Sequence, residues 1–135
     1  MSKNIQDVEG IGPKYAASLR QAGINTTDKL LEIGCDKNGR ASLAEKISVN
    51  ETSILKWVNM CDLFRIRGVA GQYAELLEAA GVDTVKELRT RNAENLVAKM
   101  LEVNKVRHLC KVTPGLKAVT SWIEQAKQLA PMLTY

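Results

Sequence analysis

The chain has 135 residues, with 45% hydrophobic and 25% charged side chains, and 19 basic against 15 acidic groups give a net charge of +4. This is the size and composition of one soluble domain that buries its own core, which excludes disordered, collagen-like and membrane-spanning chains. No apolar run approaches the length of a membrane span, and MSKNIQDVEG carries neither a basic nor an apolar leader region, so a cytoplasmic protein without membrane contact is expected.

Taken in order, the chain reads as helical almost throughout, because apolar residues recur at spacings of three and four and period-two alternation is absent. Pro13 opens a first helix and Gly23 closes it. Ser48-Val-Asn-Glu51 has capping-box spacing ahead of a helix reaching about Asp62, with Ile54, Leu55, Val58 and Cys61 on one face and Trp57 near its edge. Gly81 repeats the stop, and Asn92 caps a helix through Val103. Thr113-Pro114 opens a last helix with Leu116, Val119, Ile123 and Ala126 on one stripe, ending before Pro131.

An internal repeat organises these elements. VEGIGPKYAASLRQAGINTTDKL, residues 8 to 30, aligns without gaps on IRGVAGQYAELLEAAGVDTVKEL, residues 66 to 88, at a constant offset of 58. Gly10/Gly68, Tyr15/Tyr73, Ala16/Ala74, Leu19/Leu77, Ala22/Ala80, Gly23/Gly81, Thr26/Thr84 and Leu30/Leu88 are identical. Downstream the copies drift, and KVRHLCKVTPG precedes only the second tryptophan segment. The expectation is a single domain, 1–135, of two related halves at about 1–62 and 63–135.

Chemistry-bearing residues are sparse. Cys35, Cys61 and Cys110 are too dispersed for a disulfide framework, and His108 is the only histidine. Reduced, buried thiols, no metal, no cofactor and no enzymatic activity are expected. The informative pattern is Ile5-x-x-Val8-x-Gly10-Ile11-Gly12-x-x-x-Ala16-x-x-Leu19, in which a Gly-apolar-Gly turn leads into a helix. Glycine permits backbone angles and close approach forbidden to other residues, Ile11 anchors the turn in the core, and amide N–H groups beside a helix start can receive a phosphate. Lys14 can add charge.

EGIGPKYAASL resembles the helix-hairpin-helix family, and Leu63-x-x-Ile66-x-Gly68-Val69-Ala70-x-x-x-Ala74-x-x-Leu77 resembles it again, with Ala70 departing at the second glycine. The whole chain is also similar to a bacterial family of uncharacterised proteins with two such motifs and a C-terminal tryptophan helix. The resemblance implies an all-α fold with the two motifs in a pseudo-two-fold arrangement plus additional packing helices. It also implies a non-catalytic module that grips the phosphates of duplex DNA, or other structured nucleic acid, without reading bases. The binding residues would be Gly10, Ile11, Gly12, Lys14, Arg65, Arg67, Gly68, Val69, Ala70 and Gly71. Asp7 and Glu9 flank the first turn and oppose phosphate, whereas Arg65 and Arg67 flank the second and favour it. Lys99, Lys105, Arg107, Lys111 and Lys117 face only Glu102, forming a basic stretch that reads as a solvated surface. A protein–protein or scaffolding module using the same surfaces, with another protein or with itself, is the alternative.

Overall fold

A computed structural model describes residues 3–135, and most of its helices begin at a capping residue or a proline. A short 3₁₀ turn, Ile5–Asp7, is followed by α1 (Pro13–Gln21), α2 (Thr27–Gly34), α3 (Lys37–Ile47), α4 (Glu51–Leu63), α5 (Gly71–Ala79), α6 (Val85–Leu88), α7 (Ala93–Arg107) and α8 (Leu116–Gln128). The described residues are all-helical apart from turns and one isolated bridge, Asn4 to Thr26. No helix among them is long and apolar enough to cross a membrane.

Side-chain caps fix most starts. Thr26, Asp36, Asn50, Thr84 and Asn92 accept hydrogen bonds from the first turns of α2, α3, α4, α6 and α7. The stop signals work as expected at Gly23 and Gly81, which take φ of +85° and +92°. The amides of Gly23 and Ile24 donate to the carbonyls of Arg20 and Leu19, and those of Gly81 and Val82 donate to Glu78 and Leu77. That pair of bonds is the left-handed helix ending that glycine favours.

Three expectations change. Ser48 does not start a capping box: it ends α3 in the left-handed region (φ 57°), and Asn50 caps α4 through Ser53. α7 continues one turn past Val103 to Arg107, ending at His108 with the same left-handed geometry (φ 53°). Gly115, not Thr113-Pro114, precedes the first residue of α8, and Leu116 is exposed, so the buried stripe there is Val119, Trp122, Ile123 and Ala126. Trp57, near the edge of its helix's apolar face, and Trp122 are both buried between helices, as core packing residues are expected to be.

The buried apolar side chains form one cluster running from Ile5 to Ala126, with Phe64, Leu63 and Leu77 among the fully enclosed. α2 packs on α3 and α4 in one half, and α8 packs on α6 and α7 in the other. α5 touches α4, linking the two. Cys61 and Cys110 are buried and Cys35 is half-buried, all as free thiols. Burial pushes both the Cys61 and Cys110 thiols up from their ordinary value, with Asp28 and Asp62 adding to the shift at Cys61 and Glu75 at Cys110.

Candidate nucleic-acid interface

The two glycine turns adopt the same backbone path at the 58-residue offset. Gly10 and Gly68 have φ of +94° and +97°, where a side chain is strained. The following apolar residues, Ile11 and Val69, are buried, and their amides donate back to Val8 and Ile66 at 3.1 and 3.3 Å. Ile11 and Val69 therefore fasten the turns to the core, and their N–H groups are already occupied. Gly12 and Ala70 sit at the N-caps of α1 and α5 in extended conformation, and neither helix start carries a side-chain cap.

Unpaired amides at a helix start are the feature that can receive an anion. In α1 the first turn offers Lys14 and Tyr15, because Pro13 has no N–H, and the Ala16 amide already donates to Gly12. In α5 it offers Gly71, Gln72 and Tyr73 before the Ala74 amide closes on Ala70. Open space surrounds the position where Gly12 would carry a Cβ. At Gly71 a Cβ would meet the backbone carbonyl of Asp7 at 3.1 Å, so that glycine serves the approach of the first turn to α5.

Charge separates the turns. A cleft of about 120 Å³ beside the second turn is lined by Lys3, Phe64, Ile66, Arg67, Gly68, Val69 and Ala70. Lys3 is held there by its backbone, its amide donating to Thr27 Oγ1 (3.0 Å) and its carbonyl accepting from the Thr27 amide (2.8 Å). Its ammonium lies 5.9 Å from the centre of the Phe64 ring. Arg67 is exposed, and its backbone is clamped by Gln125, which accepts from the amide (2.8 Å) and donates to the carbonyl (3.1 Å). Lys3 escapes sequence reasoning because it is distant along the chain from residue 68. Its only local signal is the polar start before Ile5.

Arg65 is differently employed. Its guanidinium donates to buried Asp62 (2.8 Å) and to the Ala130 carbonyl (2.7 Å), so its charge is committed to the fold. At the first turn, Asp7, Glu9 and Lys14 are all exposed. Burial pushes the nearby Glu75 carboxyl up from its ordinary value, and the charge of Glu9 adds to the shift, while Arg107 and Lys56 oppose it. With Asp7 and Glu9 exposed there against Lys14, the rim of the first turn is acidic.

These features define an all-α protein with a repeated, uncapped turn-to-helix junction. The chain belongs to the family described as Domain of unknown function (DUF4332), whose model matches residues 9–129. No curated protein and no solved structure matches it.

Proposed function

We propose that the protein binds the phosphate backbone of duplex DNA, or of another structured nucleic acid, without base recognition and without catalysis. The reading takes the two turns as helix-hairpin-helix motifs related by an approximate two-fold, with the second as the principal contact. One observation carries it: α5 begins without a side-chain cap at the turn whose cleft Lys3 and Arg67 line. Helix-start amides and two cations suit a phosphodiester, and neither element distinguishes one base from another.

Fluorescence anisotropy with a labelled duplex of about 20 base pairs, at low and high salt, tests this. Affinity should be modest, indifferent to base sequence, and steeply lost as salt releases its hold on the phosphates. No anisotropy change at tens of micromolar protein and low salt overturns the proposal.

A second reading, a protein-interaction module, is supported by the end of α7, the start of α8 and the segment between them. Val106, Val112 and Leu116 are 79%, 72% and 47% exposed there, among Lys105, Arg107, Lys111 and Lys117. A mass that rises with concentration in light scattering, and falls back in Val112→Asp, would favour self-association.

A further inference from the structure

Trp57 and Trp122 are the only tryptophans in the chain, and the fold gives them equivalent posts. Each is the seventh residue of a thirteen-residue helix, α4 or α8. Each packs on the tyrosine that follows a glycine turn: Tyr15 with Trp57 at 5.3 Å between ring centres, Tyr73 with Trp122 at 5.4 Å, both inclined at 50°. Each is 3% exposed. In both, the indole nitrogen is the atom nearest to where the turn glycine would carry a Cβ, at 3.2 Å for Gly10 and 2.9 Å for Gly68.

A buried indole N–H ordinarily has a hydrogen-bond acceptor. Neither indole donates to a described residue, yet the side-chain polar atom that is buried without a partner among them is Asn59 Oδ1, not an indole nitrogen. Both indole nitrogens lie against the glycine of a turn, Trp57 at Gly10 and Trp122 at Gly68. Packing alone does not demand a donor there, since a phenyl ring would fill most of the same space. The arrangement also occurs twice, each time beside a helix start without a side-chain cap.

We infer that the Trp122 indole N–H is a ligand donor of the second turn, giving a hydrogen bond to a phosphate oxygen. The helix-start amides hold the other oxygens, and Lys3 and Arg67 supply countercharge. This rests on the phosphate-binding reading above and adds a side chain to it. Gly68 then has two uses, the positive φ and the room for the indole nitrogen. Trp57 presents the same donor at the first turn, where Asp7 and Glu9 oppose an anion, so it is the weaker of the two.

The protein labelled with ¹⁵N gives two indole N–H resonances, distinguished by loss of one in Trp57→Phe or Trp122→Phe. Titration of the wild type with a duplex of about 20 base pairs, and separately with inorganic phosphate, should move the Trp122 proton downfield and further than that of Trp57. Trp122→Phe keeps most of the ring packing and should weaken duplex binding roughly tenfold, as expected for a lost hydrogen bond to a charged acceptor. If the Gly71 to Tyr73 amides move while the Trp122 indole stays still, the indole is not a donor and the phosphate reading survives without it. If duplex and phosphate move neither amides nor indoles, the phosphate reading falls and this inference with it. A larger shift at Trp57 than at Trp122 overturns the assignment to the second turn. The wild-type titration decides these outcomes even if Trp122→Phe fails to fold.

Discussion

The two halves reach the same turn geometry by different chemical means at the junction that follows it. In the first half, Lys3 and Thr27 satisfy each other, with the Lys3 amide on Thr27 Oγ1 and the Thr27 amide on the Lys3 carbonyl. In the second, the equivalent stretch belongs to α4 and cannot run alongside the junction. Asp62 takes over: buried, it accepts from the Val85 amide (2.8 Å) and from Arg65 (2.8 Å), and Arg65 reaches across to Ala130. The comparison teaches that a duplicated backbone can be supported by unrelated side chains. A basic residue flanking a turn is therefore not automatically a ligand-binding charge, because Arg65 serves Asp62.

The largest difference between the halves should appear when these supports are removed. Asp62→Ala leaves the Val85 amide without its acceptor and Arg65 half-buried without its counter-ion, which should cost about 3 kcal/mol of stability. Asn4→Ala, at the matching position, removes an exposed cap on Gln6 and should cost about 1 kcal/mol or less. Urea denaturation of both variants checks the contrast. Similar losses would mean that the buried carboxylate is not the second half's essential support.

A smaller contrast lies within the turns. Gly68→Ala forces a side chain into a positive φ and against the Trp122 indole, with an expected loss of about 2–3 kcal/mol. Gly12→Ala meets open space in an extended backbone, and Ala70 already occupies the matching position, so stability should stay within about 0.5 kcal/mol. Thermal unfolding of the pair distinguishes a glycine required by the fold from one that is free for another use. If both are equally tolerated, the positive φ at Gly68 is not structurally demanded.

Much of this was legible in the sequence because its signals are local. Pro13, Gly23, Gly81 and Asn92 mark boundaries that the helices respect, and the 58-residue register places both turns correctly. Ser48 misleads because its residue type suits a helix start, whereas it ends α3 in the left-handed region, its amide bonded to the Ala44 carbonyl, as His108 ends α7. The approach of Lys3 to the second turn and the capture of Arg65 by Ala130 depend on contacts between distant parts of the chain, which no local pattern encodes. The indoles show the same limit: their spacing marks them as helix packing residues, but their closeness to Gly10 and Gly68 emerges only when the helices assemble.

Charge at the two rims gives the next prediction. Lys3→Glu with Arg67→Glu should weaken duplex binding at least tenfold and flatten its salt dependence, because both side chains line the second cleft. Lys14→Glu at the already acidic first rim should cost only about twofold, and Asp7→Lys with Glu9→Lys should tighten binding by a similar factor. Anisotropy titrations at matched salt rank the variants. A stronger effect at Lys14 than at Lys3 and Arg67 would exchange the roles of the turns.

The smallest effect concerns proton linkage at the acidic rim. Glu75 holds its proton more tightly in the folded chain than its ordinary value of 4.5, first because of burial and then because of Glu9. For an acid with a raised folded value, the associated stability is fully present below the unfolded value and is lost as pH rises through the folded one. Glu75→Gln removes the ionisation while keeping similar shape and helix preference, so the variant should be more stable than the wild type at pH 7 and lose that advantage by about pH 4. Solvent screening of this half-exposed carboxyl limits the gain to about 0.5 kcal/mol. In the Glu9→Gln background the gain should shrink, because one of the charges opposing ionisation is gone, and a double-mutant cycle measures the coupling. An advantage that persists unchanged at pH 4, or a gain that ignores Glu9, would show that the two carboxyls do not share an acidic rim.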